Sequence, residues 1–100
     1  MIELPDKDIL AIIQANKDVI YSRFHVESLS VFGSVSKGEA KSDSDVDILV
    51  RYKITPGIFS FLDLKHYLES ILNKPVDLVT EGALKKDMRQ EIIQEAIRVA

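Results

Sequence analysis

The chain has no cysteine and no tryptophan, and its 100 residues include only two histidines, three prolines and four glycines. Without cysteine there is no disulfide framework, no thiolate zinc site and no thiol nucleophile, which fits a reducing compartment. No internal repeat, low-complexity tract or Gly/Ser/Pro-rich stretch reads as a linker. No uncharged run approaches the roughly 20 residues of a membrane span. The opening Met1-Ile2-Glu3-Leu4-Pro5-Asp6 carries neither the basic stretch nor the apolar run of a secretory signal, so a soluble cytoplasmic protein is expected, with no membrane partner. Positive charge is not in excess either: 13 Lys and Arg against 16 Asp and Glu leave a formal charge of −3. Nucleic-acid affinity comes largely from Lys and Arg that neutralise phosphates, so direct nucleic-acid binding is not expected as the main role.

What is present, 46% hydrophobic and 29% charged residues, describes one small globular domain over residues 1–100. A chain of this size buries roughly 65% of its unfolded surface. That suffices for one sheet with helices on it and leaves no residues for a self-contained substrate lobe.

Along the chain, Pro5 can open a first helix, with Ile9, Leu10, Ile12, Ile13, Val19 and Ile20 at roughly helical spacing and an end near Arg23. Val26 to Phe32 alternates Val26, Ser28, Ser30 and Phe32 against Glu27, Leu29 and Val31, which predicts a strand that stops at Gly33. Residues 34–44 are small and polar and read as a loop or short helix. Asp45 to Tyr52 predicts a second strand, with Val46, Ile48 and Val50 on one face and Asp45, Asp47 and Leu49 on the other. Thr55-Pro56 fits N-cap and first turn of a helix striped by Ile58, Phe61, Leu62, Leu68, Ile71 and Leu72, with Asn73 as its stop. Val76 to Val79 is a third short strand, and Gly82 leads to a last helix with Leu84, Met88, Ile92, Ala96 and Val99 toward the sheet. The order is α-β-(turn or short α)-β-α-β-α, an α+β (α/β-like) arrangement of a small sheet flanked by helices.

The chemistry concentrates in Phe32-Gly33-Ser34, followed after ten residues by Asp45-Val46-Asp47-Ile48. Two apart in a strand, Asp45 and Asp47 point to one face with Cα atoms about 6.6 Å apart. Asp is a poor strand former, and two unpaired carboxylates at that distance repel by on the order of 2–3 kcal/mol at an effective dielectric near 20. A solvated outer face would screen them; a divalent cation held by oxygen ligands would offset them, and Mg²⁺ prefers one or two carboxylates together with substrate phosphates. Gly33-Ser34, alone a turn with a helix cap, also offers backbone N–H groups and a hydroxyl to a phosphate chain. Together the two segments are complementary halves of one site, anion donors and metal carboxylates.

Gly33-Ser34 with Ser44-Asp45-Val46-Asp47-Ile48-Leu49-Val50 resembles the signature of the DNA polymerase β-type nucleotidyltransferase superfamily, and the short chain resembles its minimal nucleotidyltransferase (MNT) branch, over roughly Ser28 to Ala100. The resemblance implies a mixed sheet and adds a third carboxylate, matched by Asp77 in Val76-Asp77-Leu78-Val79; read alone, Asp77 is an exposed edge residue. It further implies that Asp45, Asp47 and Asp77 are catalytic and hold two Mg²⁺ ions, and that Gly33, Ser34, Lys37 and Ser44 bind the nucleotide, with ATP as donor. Many relatives carry Ala-Arg-Gly where this chain has Ser36-Lys37-Gly38; Lys37 keeps the charge and loses the bidentate fork of Arg. Minimal members pair with a small helical HEPN-domain protein as antitoxin and toxin, which implies transfer of AMP to a Tyr of that partner and a hetero-oligomer.

Other residues read as ordinary. His25 and His66 lack a matching ligand or nucleophile; Phe59, Phe61 and Tyr67 read as core or partner-facing; Lys85-Lys86-Asp87 with Arg89 reads as a solvated helix face. Two further functions stay open: a binding module that neutralises a helical partner by contact, and a stand-alone transferase acting on an antibiotic or RNA end.

Overall fold

The computed structural model describes residues 7–33, 45–84 and 86–100. Its elements are α1 (Lys7–Ala15), α2 (Lys17–Phe24), β1 (Val26–Phe32), β2 (Val46–Tyr52), α3 (Ile58–Leu72), β3 (Val76–Thr80), a 3₁₀ turn (Glu81–Ala83), α4 (Lys86–Glu95) and β4 (Ile97–Arg98). The expected α+β class holds: a four-stranded mixed sheet, ordered β3-β2-β1-β4, is flanked by helices. β1 is antiparallel to β2 and to β4, while β2 and β3 are parallel. A parallel pair needs a long crossover, and α3 supplies it.

Alternation along the strands gives the sheet two unlike faces. Leu29, Val31, Val46, Ile48, Val50, Val76 and Leu78 are buried, together with Ile9 and Ile13 of α1, Ile20 and Phe24 of α2, and Leu64, Leu68 and Leu72 of α3. This is the core. The other face carries Ser28, Ser30 and Phe32 of β1, Asp47, Leu49 and Arg51 of β2, and Asp77 and Val79 of β3, as their register pairings show.

Four expectations are corrected. The first helix is two, because Asn16 interrupts it: its backbone N–H reaches the Ile13 carbonyl at 3.1 Å and its Nδ2 donates to the Ile12 carbonyl at 2.8 Å. An amide side chain that takes a helix carbonyl for itself competes with the helical ladder. The bond from Tyr67 Oη to Asn16 Oδ1, 3.1 Å, ties this corner to α3. In β1 the register shifts between Val26 and Ser28, and Val26 is buried alongside Leu29 and Val31 in place of the simple alternation. Gly57, two residues after Thr55, is the N-cap of α3, with Phe61 N–H donating to its carbonyl at 3.1 Å.

The last correction is a strand in place of a helix end. The final helix stops at Glu95 and the chain adds β4 beside β1. Val99 N–H donates to Leu29 O at 2.9 Å and Leu29 N–H to Ala100 O at 3.2 Å, which continues the pairing past β4 and buries Val99 and Ala100. The short apolar run Ile97-Arg98-Val99-Ala100 fits either period, and only the exposed edge of β1 decides it. The Asn73 stop holds: it sits left-handed at φ 55, with its N–H on Glu69 O at 2.8 Å. The turn or short helix expected at 34–44 lies outside the described residues.

Candidate functional site

The start of β2, the start of β3 and the end of β1 meet at one end of the sheet. Val46 N–H donates to Pro75 O at 2.9 Å, which locks the first residues of β2 and β3 together. From the other side, Glu69 Oε2 accepts from Val76 N–H at 3.0 Å and ties β3 to the last turn of α3. In the resulting register Asp47 lies beside Asp77 on β3 and opposite Phe32 on β1. Asp45 precedes β2 by one residue and is exposed, as is Asp77; Asp47 is half-buried. Adjacent strands lie about 4.8 Å apart, so the Asp47 and Asp77 carboxylates are close neighbours on the outer face.

The electrostatics follow from that crowding. Burial first, then Asp77, then Asp45, hold the Asp47 carboxyl above its ordinary 3.8. Each cause penalises its anionic form. Among the described residues no three His, Asp or Glu side chains converge into a metal-holding group of their own. The acidic residues share a face without forming a closed cage.

Gly33 follows Phe32 with φ +67, a left-handed conformation that L side chains rarely adopt. It packs on Asp47: a Cβ built on Gly33 would stand 2.3 Å from Asp47 Oδ2 and 3.2 Å from its Cγ. Of the residues expected to form the site, Gly33, Asp45, Asp47 and Asp77 therefore come together at one sheet end. Ser34, Lys37 and Ser44 lie outside the described residues.

The same face continues away from the carboxylates as a cleft of about 230 Å³ lined by Ser28, Ser30, Leu49, Arg51, Ile93 and Arg98, among others. Arg51 on its edge donates from Nε to Glu81 Oε2 at 2.8 Å, and its Nη2 contacts the same oxygen. That bond, with the Glu81 charge, raises the Arg51 pKa above its ordinary value. Nothing local in the sequence marks this pair, because the two residues are 30 apart and join only through the β2–β3 register, with Thr80 opposite Val50.

The profile of the nucleotidyltransferase domain matches residues 12–100, most of the chain. The chain belongs to the nucleotidyltransferase domain family. It is 41% identical over 93 residues to the protein adenylyltransferase MntA of Thermococcus cleftensis, a match over 93% of this chain and 94% of that protein. A solved structure described as a minimal nucleotidyltransferase is similar at 34% identity and TM-score 0.73, over 88% of this chain and 93% of that one. The fold is also shared, at 23% identity and TM-score 0.61, with a chain of the Shewanella oneidensis complex between a tri-AMPylated HEPN toxin and its MNT antitoxin, over 88% of this chain and 70% of that one. As a nucleotidyltransferase the chain acts on a nucleotide donor. Among the described residues, no helix of this nucleotidyltransferase is long and apolar enough to cross a membrane.

Phe59, read as core or partner-facing, is not core: it is 79% exposed on α3, beside Ile58 at 65%. Phe61 and Tyr67 pack against the core as expected. The Tyr67 and Phe24 rings meet at a tilt of 46° with centroids 5.4 Å apart, and the Arg23 guanidinium lies 5.1 Å from the Phe24 ring centroid.

Proposed function

We propose that the chain transfers AMP from ATP to a tyrosine hydroxyl of a HEPN-domain partner, and that residues 1–100 act in the cytoplasm as one antitoxin unit. The observation that supports this reading is Asp47 standing beside Asp77 and against Gly33, with the Asp45 charge near enough to act on it. The 41% identity to a protein adenylyltransferase supports the reaction, and the Shewanella complex suggests the partner class.

The donor set fits Mg²⁺, which takes oxygen ligands, keeps waters and binds through one or two carboxylates plus substrate phosphates. The half-buried Asp47, crowded by Asp77 and Asp45, is a carboxylate that a cation would relieve. When bound, Mg²⁺ supplies charge neutralisation at the phosphates.

In this reading Asp45 and Asp47, with Asp77 at the second ion, would hold two Mg²⁺ ions, and Gly33, with Ser34, Lys37 and Ser44, would cradle the phosphates. Asp77 takes the proton of the tyrosine hydroxyl. The phenolic oxygen attacks the α-phosphorus, the α–β P–O bond breaks and pyrophosphate leaves in line.

Co-expression with a HEPN-domain protein from the same genome tests this reading by intact mass. One or more AMP additions on a partner tyrosine are expected, and none with Asp45→Asn/Asp47→Asn. Lys37, in place of the Arg that many relatives carry, motivates a second reading, a module that neutralises its partner by contact. That reading gains if the double variant relieves partner toxicity as well as wild type does.

A further inference from the structure

We propose that Gly33 is a positioning residue for the Asp47 carboxylate, in addition to any contact it makes with phosphate. The last residue of β1, Phe32, is the register partner of Asp47, so the next residue turns directly over the Asp47 side chain. Gly33 turns there at φ +67, and its Cα hydrogen occupies the space a side chain would need. A Cβ at Gly33 would lie 2.3 Å from Asp47 Oδ2, 3.2 Å from Cγ and 3.5 Å from Asp47 Cβ. Carbon and oxygen do not approach to 2.3 Å without a bond, since favourable non-bonded separations begin near 3.5 Å.

The colliding atom is the end of a short side chain, so the carboxylate moves before the backbone does. Its direction of escape is restricted. β1 lies on one side of β2 and β3 on the other. A carboxylate pushed off the β1 side swings toward β3, where Asp77 is its register partner. Like charge resists that rotamer, and the oxygen leaves the position from which it faces the Gly33 turn. Gly33 thus sets where the half-buried Asp47 oxygen stands, by lacking a Cβ. Substituting it misplaces a carboxylate on the neighbouring strand without altering that residue.

The consequence for cation binding rests on the metal role proposed for Asp47; the positional claim does not. The test therefore has two arms on the full chain. In metal-free protein, crystal structures report the Asp47 side-chain rotamer, χ1 and χ2, in wild type and Gly33→Ala, with Gly33→Asn as companion because Asn tolerates positive φ and carries the same Cβ. A changed Asp47 rotamer in both variants is expected. An unchanged rotamer in a folded variant overturns the proposal whatever the metal does.

In the second arm Mn²⁺ binding is titrated without nucleotide on wild type, Gly33→Ala, Asp47→Asn and the double variant. Gly33→Ala should weaken binding about tenfold in wild type and less than twofold in the Asp47→Asn background, the non-additivity of residues acting through one group. Equal losses in both backgrounds would assign Gly33 a separate role and contradict the positioning. Absence of Mn²⁺ binding by wild type would count against the metal role of Asp47 and leave the rotamer arm to decide the positioning.

Discussion

Asp47 on β2 and Asp77 on β3 are register partners on adjacent parallel strands, so two carboxylates stand side by side on the outer face of the sheet. The fold accepts this crowding at its own expense. A carboxyl whose pKa is raised on folding binds protons more tightly in the native state, so stability falls as pH climbs from 3.8 through the raised value. Asp47→Asn removes that loss. The variant should be more stable than wild type at pH 7 by less than about 1 kcal/mol, a small gain because the group is partly exposed, and the difference should shrink toward pH 4. Urea unfolding at both pH values measures it.

Mg²⁺ bound by the native chain alone should raise the wild-type melting temperature at pH 7, since a ligand of the folded state stabilises it by mass action. The rise should be lost in Asp47→Asn and reduced as pH falls, because the raised carboxyl competes for a proton before an ordinary Asp would. A thermal melt with and without MgCl₂ checks both.

Asn16 holds the corner between α1 and α2 by accepting from Tyr67 Oη and donating to Ile12 O. Asn16→Ala loses two part-buried hydrogen bonds of about 1 kcal/mol each and gains no interior helix propensity, since the residue lies between the two helices. A net loss of about 1–2 kcal/mol is expected. A double-mutant cycle with Tyr67→Phe should show coupling near 1 kcal/mol, read by denaturant unfolding.

The apolar stripe of α3 divides sharply. Leu68 is fully buried and Phe59 is 79% exposed. Leu68→Ala should cost about 2–5 kcal/mol through lost contacts and the cavity left behind, and Phe59→Ala less than about 0.5 kcal/mol. Equal losses in chemical denaturation would contradict the packing described.

These residues also show what the sequence carried and what it did not. The strands around Val31, Ile48 and Leu78 were legible because period-two burial is written in local alternation. Asp45 and Asp47 stood out because carboxylates two apart in a strand oppose local preference. Asp77 was visible only through family resemblance, since what makes it notable is its register with Asp47. The break at Asn16, the edge strand β4 and the exposure of Phe59 depend on Tyr67, on the open edge of β1 and on where α3 begins. The third turns on the N-cap falling at Gly57 and not at Thr55. Non-local partners decide the first two, and no window of sequence contains them. The Gly33–Asp47 contact is of the same kind: a glycine after a strand reads as a turn until the register places a carboxylate under it.

The central claim, that the carboxylates at the β2–β3 end carry nucleotidyl transfer, is tested most directly by one measurement. The chain is incubated with α-labelled ATP, Mg²⁺ and the purified helical partner, and the initial rate of label appearing on the partner is compared among wild type, Asp45→Asn, Asp47→Asn and Asp77→Asn. Mg²⁺-dependent transfer by wild type is expected, with a loss of about a hundredfold or more in each variant and the fold intact by circular dichroism. Transfer at the wild-type rate by Asp47→Asn would contradict the claim.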